Sequence, residues 1–186
     1  MPKVLVPLAE GCEELEAVTI IDLLRRAGVE VVVAGLKPGI VKASRGTLLV
    51  PDCTLDVALH ESYDMIALPG GMPGMTHLRE DSRIISLLQK MAGEDKYICA
   101  ICAAPAVLAE AGLLVGKAAT SFPGSLDAAK LPDTEIRNEP VVTDGKVITS
   151  RGPGTAMDFA LELVEKLVGR AKCDEIEAAL QRPGKP

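Results

Sequence analysis

The sequence predicts an α/β fold in which a mostly parallel central sheet has helices on both of its faces. Short apolar runs typical of strands alternate along the chain with segments of helical periodicity. Residues 29–36 form an almost continuous apolar run, as expected for a strand that is covered on both faces. The 186 residues contain no linker, internal repeat or low-complexity tract. We therefore predict one domain over residues 1–181, followed by a frayed tail over residues 182–186.

Each predicted element has a local reason. The helix over residues 14–27 has apolar residues at helical spacing and ends before Gly28, and Pro69-Gly70-Gly71 closes a short buried strand. Asp144-Gly145 predicts the turn of a hairpin. In chain order, strands or extended pieces are predicted at 3–8, 29–36, 47–50, 54–59 and 65–68, in the run that ends at Cys102, and in the hairpin 141–149. Helices are predicted at 14–27, 82–91, 106–111, 155–168 and 173–181.

Composition argues against several classes of partner. The formal net charge is −6, aromatic residues make up 2% of the chain and tryptophan is absent, which argues against nucleic acid as the main partner. No apolar run reaches the roughly 18 residues of a membrane span, and the amino terminus does not have the layout of a signal peptide. The five cysteines lack the spacing of a disulfide framework, so reduced thiols and a cytoplasmic location are expected.

The strongest chemical signal is Cys102. An apolar, strand-like stretch stops at this cysteine, and a segment of small residues with Pro105 then leads into a helix. A strand-to-helix turn places a side chain at the carboxyl end of the sheet, where open α/β folds bind ligands. The positive end of a helix dipole lowers a thiol pKa, so a nucleophilic thiolate is expected. The alternative that position alone leaves open is an inert cysteine buried in a core strand.

Neither a metal nor a disulfide is expected at Cys102. Cys99 and Cys102 have C-x-x-C spacing, but three residues of extended chain span about 10 Å, which is too far for a disulfide. A zinc site would need a second cysteine pair or nearby histidines, and His60 and His77 have no ligand spacing to the cysteines. The sequence also has no phosphate loop and no dinucleotide fingerprint, so no cofactor is predicted.

Three segments are expected to meet near Cys102 at the carboxyl edge of the sheet. Gly70-Gly71 allows close backbone approach, so that a free N–H there and the N–H of Ala103 form an oxyanion hole; the alternative is a tight turn only. Glu16 falls one turn into a helix within a mostly apolar stretch, and an inward orientation would raise its pKa and keep it protonated. A protonated Glu16 donates a hydrogen bond to the thiolate, whereas an ionised one repels it. The other acids of this first turn are interpreted as mostly solvated.

Several runs of residues together carry a family resemblance. They are Gly11-Cys12-Glu13-Glu14-Leu15-Glu16, Asp22-Leu23-Leu24-Arg25-Arg26-Ala27-Gly28, Ser44-Arg45-Gly46, Tyr63-Asp64, Leu68-Pro69-Gly70-Gly71, Ala100-Ile101-Cys102-Ala103-Ala104-Pro105 and Thr149-Ser150-Arg151-Gly152-Pro153-Gly154-Thr155. Single runs are weak signals, but these follow one another at family spacing from about residue 3 to about residue 170. With this ordered set the chain resembles the DJ-1/PfpI (ThiJ) superfamily, and more closely its DJ-1/YajL branch.

The resemblance implies a flavodoxin-like three-layer α/β/α sandwich that forms a homodimer. It implies that Cys102 is the nucleophile on a strained elbow, that Glu16 is its protonated partner, and that the N–H groups of Gly71 and Ala103 are oxyanion or sulfinate donors. The resemblance and the local sequence together place the remaining candidates at the substrate pocket or the dimer contact; these are Gly70, Arg26, Arg45, Phe122 and Arg151. For Arg151, binding of an anionic substrate group and a structural role, as a salt bridge or a backbone cap, both stay open.

The resemblance also implies an activity. Members of this branch are described as cofactor-free glyoxalases (of the glyoxalase III type) that convert methylglyoxal to lactate, as deglycases of early glycation adducts, and as oxidation-responsive chaperones. We therefore expect a cysteine-dependent glyoxalase or deglycase for small reactive carbonyls, with an oxidative-stress sensor or redox-regulated chaperone as the alternative.

Two departures argue against a third activity, that of an amidase or peptidase. Ala103 stands where protease-like members carry a histidine, and Phe122 stands where some relatives carry another. His77 is the one histidine that could approach Cys102, and a solvent-facing position is the alternative for it.

Overall fold

The computed structural model describes residues 1–183, and these residues form strands and helices in alternation. The strands are β1 (Lys3–Leu8), β2 (Glu30–Gly35), β3 (Val41–Lys42), β4 (Leu48–Leu49), β5 (Cys53–Thr54), β6 (Met65–Leu68), β7 (Tyr97–Ile101), β8 (Ala118–Ala119), β9 (Glu135–Ile136), β10 (Val141–Asp144) and β11 (Val147–Ser150). The helices are α1 (Glu14–Arg26), α2 (Leu55–Ala58), α3 (Gly74–Glu80), α4 (Ser82–Gly93), α5 (Pro105–Glu110), α6 (Ala156–Val168) and α7 (Arg170–Ala179). A turn of 3₁₀ helix, Pro153–Thr155, precedes α6.

A seven-stranded sheet organises the fold, with the strand order β10-β11-β7-β6-β1-β2-β5. β10 and β11 are antiparallel, and each of the other neighbouring pairs is parallel. Two helix groups flank the sheet: α1 packs against α6 and α6 against α7, while α3 packs against α4 and α5. The predicted flavodoxin-like α/β/α sandwich with a mostly parallel sheet is confirmed. The carboxyl ends of β1, β6 and β7 meet at one edge, which becomes the site.

The central strands are buried on both faces, as their apolar runs predict. β1, β6 and β7 have almost no exposed residue, and one cluster of buried apolar side chains extends from Val4 to Ile176. α1 begins where the Glu13 carboxylate caps its first turn, and it ends before Gly28, whose φ is +76°. The hairpin turn at Asp144-Gly145 is also present, with Gly145 at a φ of +61°.

Three boundaries differ from the sequence prediction. Residues 54–59 were predicted to be extended, but the Thr54 hydroxyl accepts a hydrogen bond from the N–H of Val57 and starts the short helix α2. The helix α3 was not predicted, because it opens at a glycine directly after a proline-rich turn. α7 starts at Arg170 instead of residue 173, since Gly169 interrupts the helical run only briefly.

The end of the chain is also corrected in part. Arg182 was predicted to lie in a frayed tail, but its guanidinium forms ion pairs with Asp158 at 2.7 Å and Glu177 at 3.2 Å. Residues 184–186 of that predicted tail lie outside the described residues. Within residues 1–183, no helix is both long enough and apolar enough to cross a membrane.

Candidate active site

Cys102 lies at the junction between β7 and α5. It follows Ile101, the last residue of β7, and adopts a φ of +64°, a left-handed conformation that non-glycine residues rarely take. Two backbone hydrogen bonds hold it there: its N–H donates to the carbonyl of Ser150 at 3.0 Å, and its carbonyl accepts from the N–H of Phe122 at 2.7 Å. The side chain is mostly buried, with 8% of the residue exposed. The elbow therefore presents a sulfur at the carboxyl edge of the sheet with limited access to solvent.

Gly70 and Gly71 pack directly against this elbow. A Cβ at Gly70 would lie 2.6 Å from the Cβ of Cys102 and 2.9 Å from the carbonyl oxygen of Ile101, so a side chain does not fit at this position. Gly71 has a φ of +92°, a conformation that glycine adopts readily. The N–H groups of Gly71 and Ala103 both favour the ionised sulfur and so lower the pKa of Cys102. The structure thus brings together the two backbone donors that the sequence singles out.

Glu16 reaches the same place from the first turn of α1. Its side chain is fully buried, and its Oε2 accepts a hydrogen bond from the N–H of Gly70 at 2.8 Å. Its own N–H donates to the capping carboxylate of Glu13 at 2.8 Å, which fixes the start of the helix. Within the described part of the chain, the second oxygen, Oε1, is buried without a hydrogen-bond partner. The predicted inward orientation of Glu16 is therefore what the structure has.

The carboxyl group and the thiol act on each other's protonation. Burial raises the pKa of Glu16 to about 7, although the hydrogen bond from the N–H of Gly70 and the neighbouring Cys102 thiol lower it. Burial and, to a smaller extent, the neighbouring Glu16 carboxylate together raise the pKa of the Cys102 thiol to about 12, although the N–H groups of Gly71 and Ala103 lower it. The prediction of a thiol pKa below its ordinary value is wrong, because desolvation and the neighbouring charge outweigh the backbone dipoles. A neutral Glu16 removes the charge but not the desolvation.

Phe122 and Gly152 form the wall next to the sulfur. A Cβ at Gly152 would lie 3.5 Å from Cδ2 of Phe122 and 4.0 Å from Sγ of Cys102. Phe122 is 49% exposed, so its ring packs near Gly152 and also meets solvent. Gly152 was not singled out from the sequence, although it stands within a matched motif. Arg151 precedes it and lines a separate cavity of about 200 Å³.

Two of the predicted site residues lie away from the sulfur within one chain. Arg45 is exposed in the turn between β3 and β4, where its N–H donates to the Glu14 carboxylate at 3.0 Å. Arg26 pairs with Asp22 at 2.7 Å and lies ten residues along α1 from Glu16, roughly 15 Å away. Their predicted places at a dimer contact or an active-site mouth stay predictions.

Neither of the two histidines takes part in the site. Nδ1 of His77 lies 2.9 Å from the carbonyl oxygen of Glu10, and the ring lines a different cavity of about 440 Å³, whose lining does not include Cys102. His60 is exposed in the segment after α2. Within residues 1–183, no group of three or more histidine, cysteine, aspartate or glutamate side chains is arranged to hold a metal ion.

Comparison with known protein families matches this architecture. The model of the DJ-1/PfpI family matches residues 2–166. Protein DJ-1 homolog B of Arabidopsis thaliana is 49% identical over 173 residues, which are 92% of this chain but only 39% of that protein. The chain thus spans less than half the length of that relative. Protein dj-1beta of Drosophila melanogaster is 42% identical over 177 residues, which are 95% of each chain. The glutathione-independent glyoxalase DJR-1.2 of Caenorhabditis elegans is 35% identical over 167 residues, which are 90% of this chain and 89% of that protein.

Solved structures agree with the sequence relatives. The crystal structure of Drosophila melanogaster DJ-1beta superposes with a TM-score of 0.93 at 40% identity, covering 98% of this chain and 99% of that one. A structure of Toxoplasma gondii DJ-1 in an oxidised form superposes with a TM-score of 0.92, also at 40% identity, covering 99% and 100% of the two chains.

Proposed function

Because the chain belongs to the DJ-1/PfpI family, we propose that it is a cofactor-independent glyoxalase of the glyoxalase III type. Its substrates are methylglyoxal-type α-oxoaldehydes, and as a deglycase it also acts on their early glycation adducts. The observation that carries the proposal is the buried pair of Glu16 and Cys102 beneath two backbone donors. A relative named as a glutathione-independent glyoxalase, 35% identical over most of both chains, supports the same reaction class.

The first step of the proposed reaction moves one negative charge and one proton within the pair. Ionised Glu16 takes the proton of the Cys102 thiol, and the thiolate so formed adds to the aldehyde carbon while the electrons of the carbonyl π bond move to oxygen. The N–H groups of Gly71 and Ala103 stabilise that oxyanion. Glu16 then gives its proton to this oxygen, which yields a neutral hemithioacetal and leaves a carboxylate. A Glu16 pKa of about 7 suits this exchange at neutral pH.

The second step uses the carboxylate as a base. Glu16 removes the proton from the former aldehyde carbon and returns it to the neighbouring ketone carbon, while the hydroxyl proton of the first carbon moves to the oxygen of the second. The first carbon thus becomes a thioester and the second an alcohol. Water then hydrolyses the thioester, releases the 2-hydroxy acid and restores the thiol. Methylglyoxal and one water give lactic acid, so the reaction needs no external oxidant or reductant.

Consumption of methylglyoxal and formation of lactate by three variants test this mechanism. Cys102→Ala and Glu16→Ala remove the nucleophile and the acid–base group, so each is expected to lower the rate by about 100-fold or more. Cys53→Ala is the matched control, since Cys53 is a partly exposed cysteine in β5, outside the site. Equal rates for Cys102→Ala and the wild type would contradict the proposal.

The second candidate function is an oxidative-stress sensor or redox-regulated chaperone that uses the same sulfur. Peroxide oxidises the Cys102 thiolate first to sulfenic and then to sulfinic acid, and each step reduces one peroxide to water. The N–H groups of Gly71 and Ala103 favour an anionic sulfinate as they favour an oxyanion, and a structural relative is known in an oxidised form. Burial raises the thiol pKa of Cys12, Cys99 and Cys173 as it raises that of Cys102, so the N–H groups of Gly71 and Ala103, and not the thiol pKa, distinguish Cys102.

Intact-mass spectrometry after mild peroxide treatment tests the sensor. The expected product carries two added oxygens, and peptide mapping places both on Cys102. The Cys102→Ala variant is expected to gain neither oxygen. Oxidation spread over all five cysteines would contradict a dedicated sensor.

We also propose two further properties that the sequence led us to expect, a homodimer and a cytoplasmic location. A homodimer is proposed because α1 exposes the apolar residues Leu15 and Val18, at 50% and 48%, and the β3–β4 hairpin exposes Leu48 at 62%. A cytoplasmic location is proposed because all five cysteines are free thiols. Amide or peptide hydrolysis is not proposed, since neither histidine stands beside Cys102 to protonate an amine leaving group.

A further inference from the structure

One cavity is lined by residues next in sequence to the wall beside the Cys102 sulfur. Its volume is about 200 Å³, and Ser121, Pro123 and Gly124, on either side of Phe122, form part of its lining. Arg151 forms another part of the lining, and the next residue, Gly152, borders the sulfur. The lining of the cavity and the wall beside the sulfur thus come from the same two segments of chain, 121–124 and 151–152. Since consecutive Cα atoms lie about 3.8 Å apart, Arg151 and the glycine beside the sulfur are immediate neighbours.

The charged side chains that line this cavity are all positive. Its lining contains two arginines, one asparagine and no acidic residue. Arg137 is already matched, because its Nε and one terminal nitrogen donate to the two carboxylate oxygens of Glu135 at 2.9 and 3.0 Å. Arg151 differs: within residues 1–183 its guanidinium has neither an ion pair nor a hydrogen bond, and neither has the side-chain amide of Asn138. A half-buried, unmatched guanidinium in a concave site favours a carboxylate or a phosphate.

We propose that Arg151 binds the anionic end of a substrate whose aldehyde reacts at Cys102. The substrate class is an α-oxoaldehyde that carries a carboxylate or phosphate group at its far end. This inference deepens the proposed glyoxalase function and rests on it. It also resolves the two interpretations of Arg151 that the sequence leaves open, in favour of substrate binding, because no structural salt bridge to Arg151 is present among the described residues.

A matched pair of substrates tests the inference. 4,5-Dioxopentanoate and 2-oxopentanal have the same five-carbon chain and differ only in a carboxylate against a methyl group. We expect the wild type to prefer the anionic compound by about ten- to hundredfold in kcat/KM, the range of a hydrogen bond to a charged group, with the difference in KM. Arg151→Gln is expected to bring the ratio of the two kcat/KM values close to one, and Arg151→Lys to restore part of it. Arg170→Gln, at an exposed arginine of α7, should keep the wild-type ratio.

Two results would overturn the inference: a ratio near one in the wild type, or an unchanged ratio in Arg151→Gln. If the wild type consumes neither compound faster than Cys102→Ala, the proposed glyoxalase function fails. In that case, calorimetric binding of inorganic phosphate and of acetate at constant ionic strength decides the subsite separately. Binding by the wild type that Arg151→Gln loses supports it, and equal or no binding overturns it; the stronger of the two anions identifies the group.

Discussion

At the scale of single residues, Glu16 links the stability of the fold to the chemistry of the site. Burial raises its pKa from the ordinary 4.5 to about 7. The folded protein therefore holds the Glu16 proton more tightly than the unfolded chain does. The stability that this proton contributes is complete below about pH 4.5, decreases as the pH rises, and is lost above about pH 7. The site thus keeps a neutral acid next to a sulfur at the expense of stability in alkaline solution.

The variant Glu16→Gln is predicted to remove this pH dependence. Glutamine keeps the shape of a neutral carboxyl group but cannot ionise, so the wild type should lose about 3 kcal/mol relative to the variant between pH 4 and pH 8. The measurement is the free energy of unfolding in urea at both pH values and at one protein concentration. Other titrating groups cancel in the difference between the two proteins.

The control for this prediction is the same comparison in a Cys102→Ala background. The Cys102 thiol lowers the Glu16 pKa, so its removal should leave the pH-dependent difference at least as large. A difference that stays constant from pH 4 to pH 8 would mean that the buried carboxyl group does not titrate in this range.

At the scale of elements, the turn after β6 limits how closely the carboxyl ends of β6 and β7 can approach each other. Gly70 leaves no room for a Cβ, because the elbow after β7 occupies that space at 2.6 Å. Gly70→Ala is predicted to destabilise the protein by about 1–3 kcal/mol through overpacking, and to slow alkylation of Cys102 or methylglyoxal turnover. Urea unfolding and the two rates measure these effects.

Gly93→Ala is the matched control for Gly70→Ala. Gly93 ends α4, and a Cβ there would meet nothing within 4 Å. Alanine in a helix costs less backbone entropy than glycine, so this variant is expected to gain about 0.5–1 kcal/mol. Equal stability of the two variants would show that contact with the Cys102 elbow does not constrain Gly70.

Local sequence signals predict some of the strands and helices but not all of them. β1, β2, β6 and β7 follow from continuous apolar runs, and α1 from its capping and periodicity, since these signals are local. The inward orientation of Glu16 also follows from its apolar neighbours. α2 and α3 could not be predicted in this way, because their helical turns are short and are set by the packing around them.

Long-range contacts set the rest of the site. The Glu14 carboxylate accepts hydrogen bonds from the Ser44 hydroxyl and the Arg45 N–H, some thirty residues along the chain, and no local pattern indicates this contact. Burial would raise the pKa of Glu14, but hydrogen bonds from its own N–H and from Arg45 and Ser44 outweigh burial and lower the pKa to about 2. The thiol pKa was mispredicted for a related reason: the helix dipole is visible in sequence, whereas the depth of burial is not.

At the scale of the whole molecule, α1 presents an exposed stripe that a second copy can cover. Leu15 and Val18 are three residues apart, and Asp22 and Arg26 follow at spacings of four, so all four lie along one face of the helix. Glu14 ties this end of α1 to the hairpin that exposes Leu48. A symmetric dimer places the same surface of both copies in contact, which suits a stripe that is apolar at one end and charged at the other.

The variant Val18→Glu is predicted to convert the proposed dimer to a monomer. An ionised carboxylate in the centre of an apolar contact must be desolvated without a partner, so dimerisation is expected to weaken by about 100-fold or more. Sedimentation velocity at micromolar concentration measures the two species. Val115→Glu is the control, since Val115 is 65% exposed just after α5, in the helix group that does not include α1, and its substitution should leave the dimer intact. A monomeric wild type would contradict the dimer itself, whereas a dimer that survives Val18→Glu would place the contact on a face other than α1.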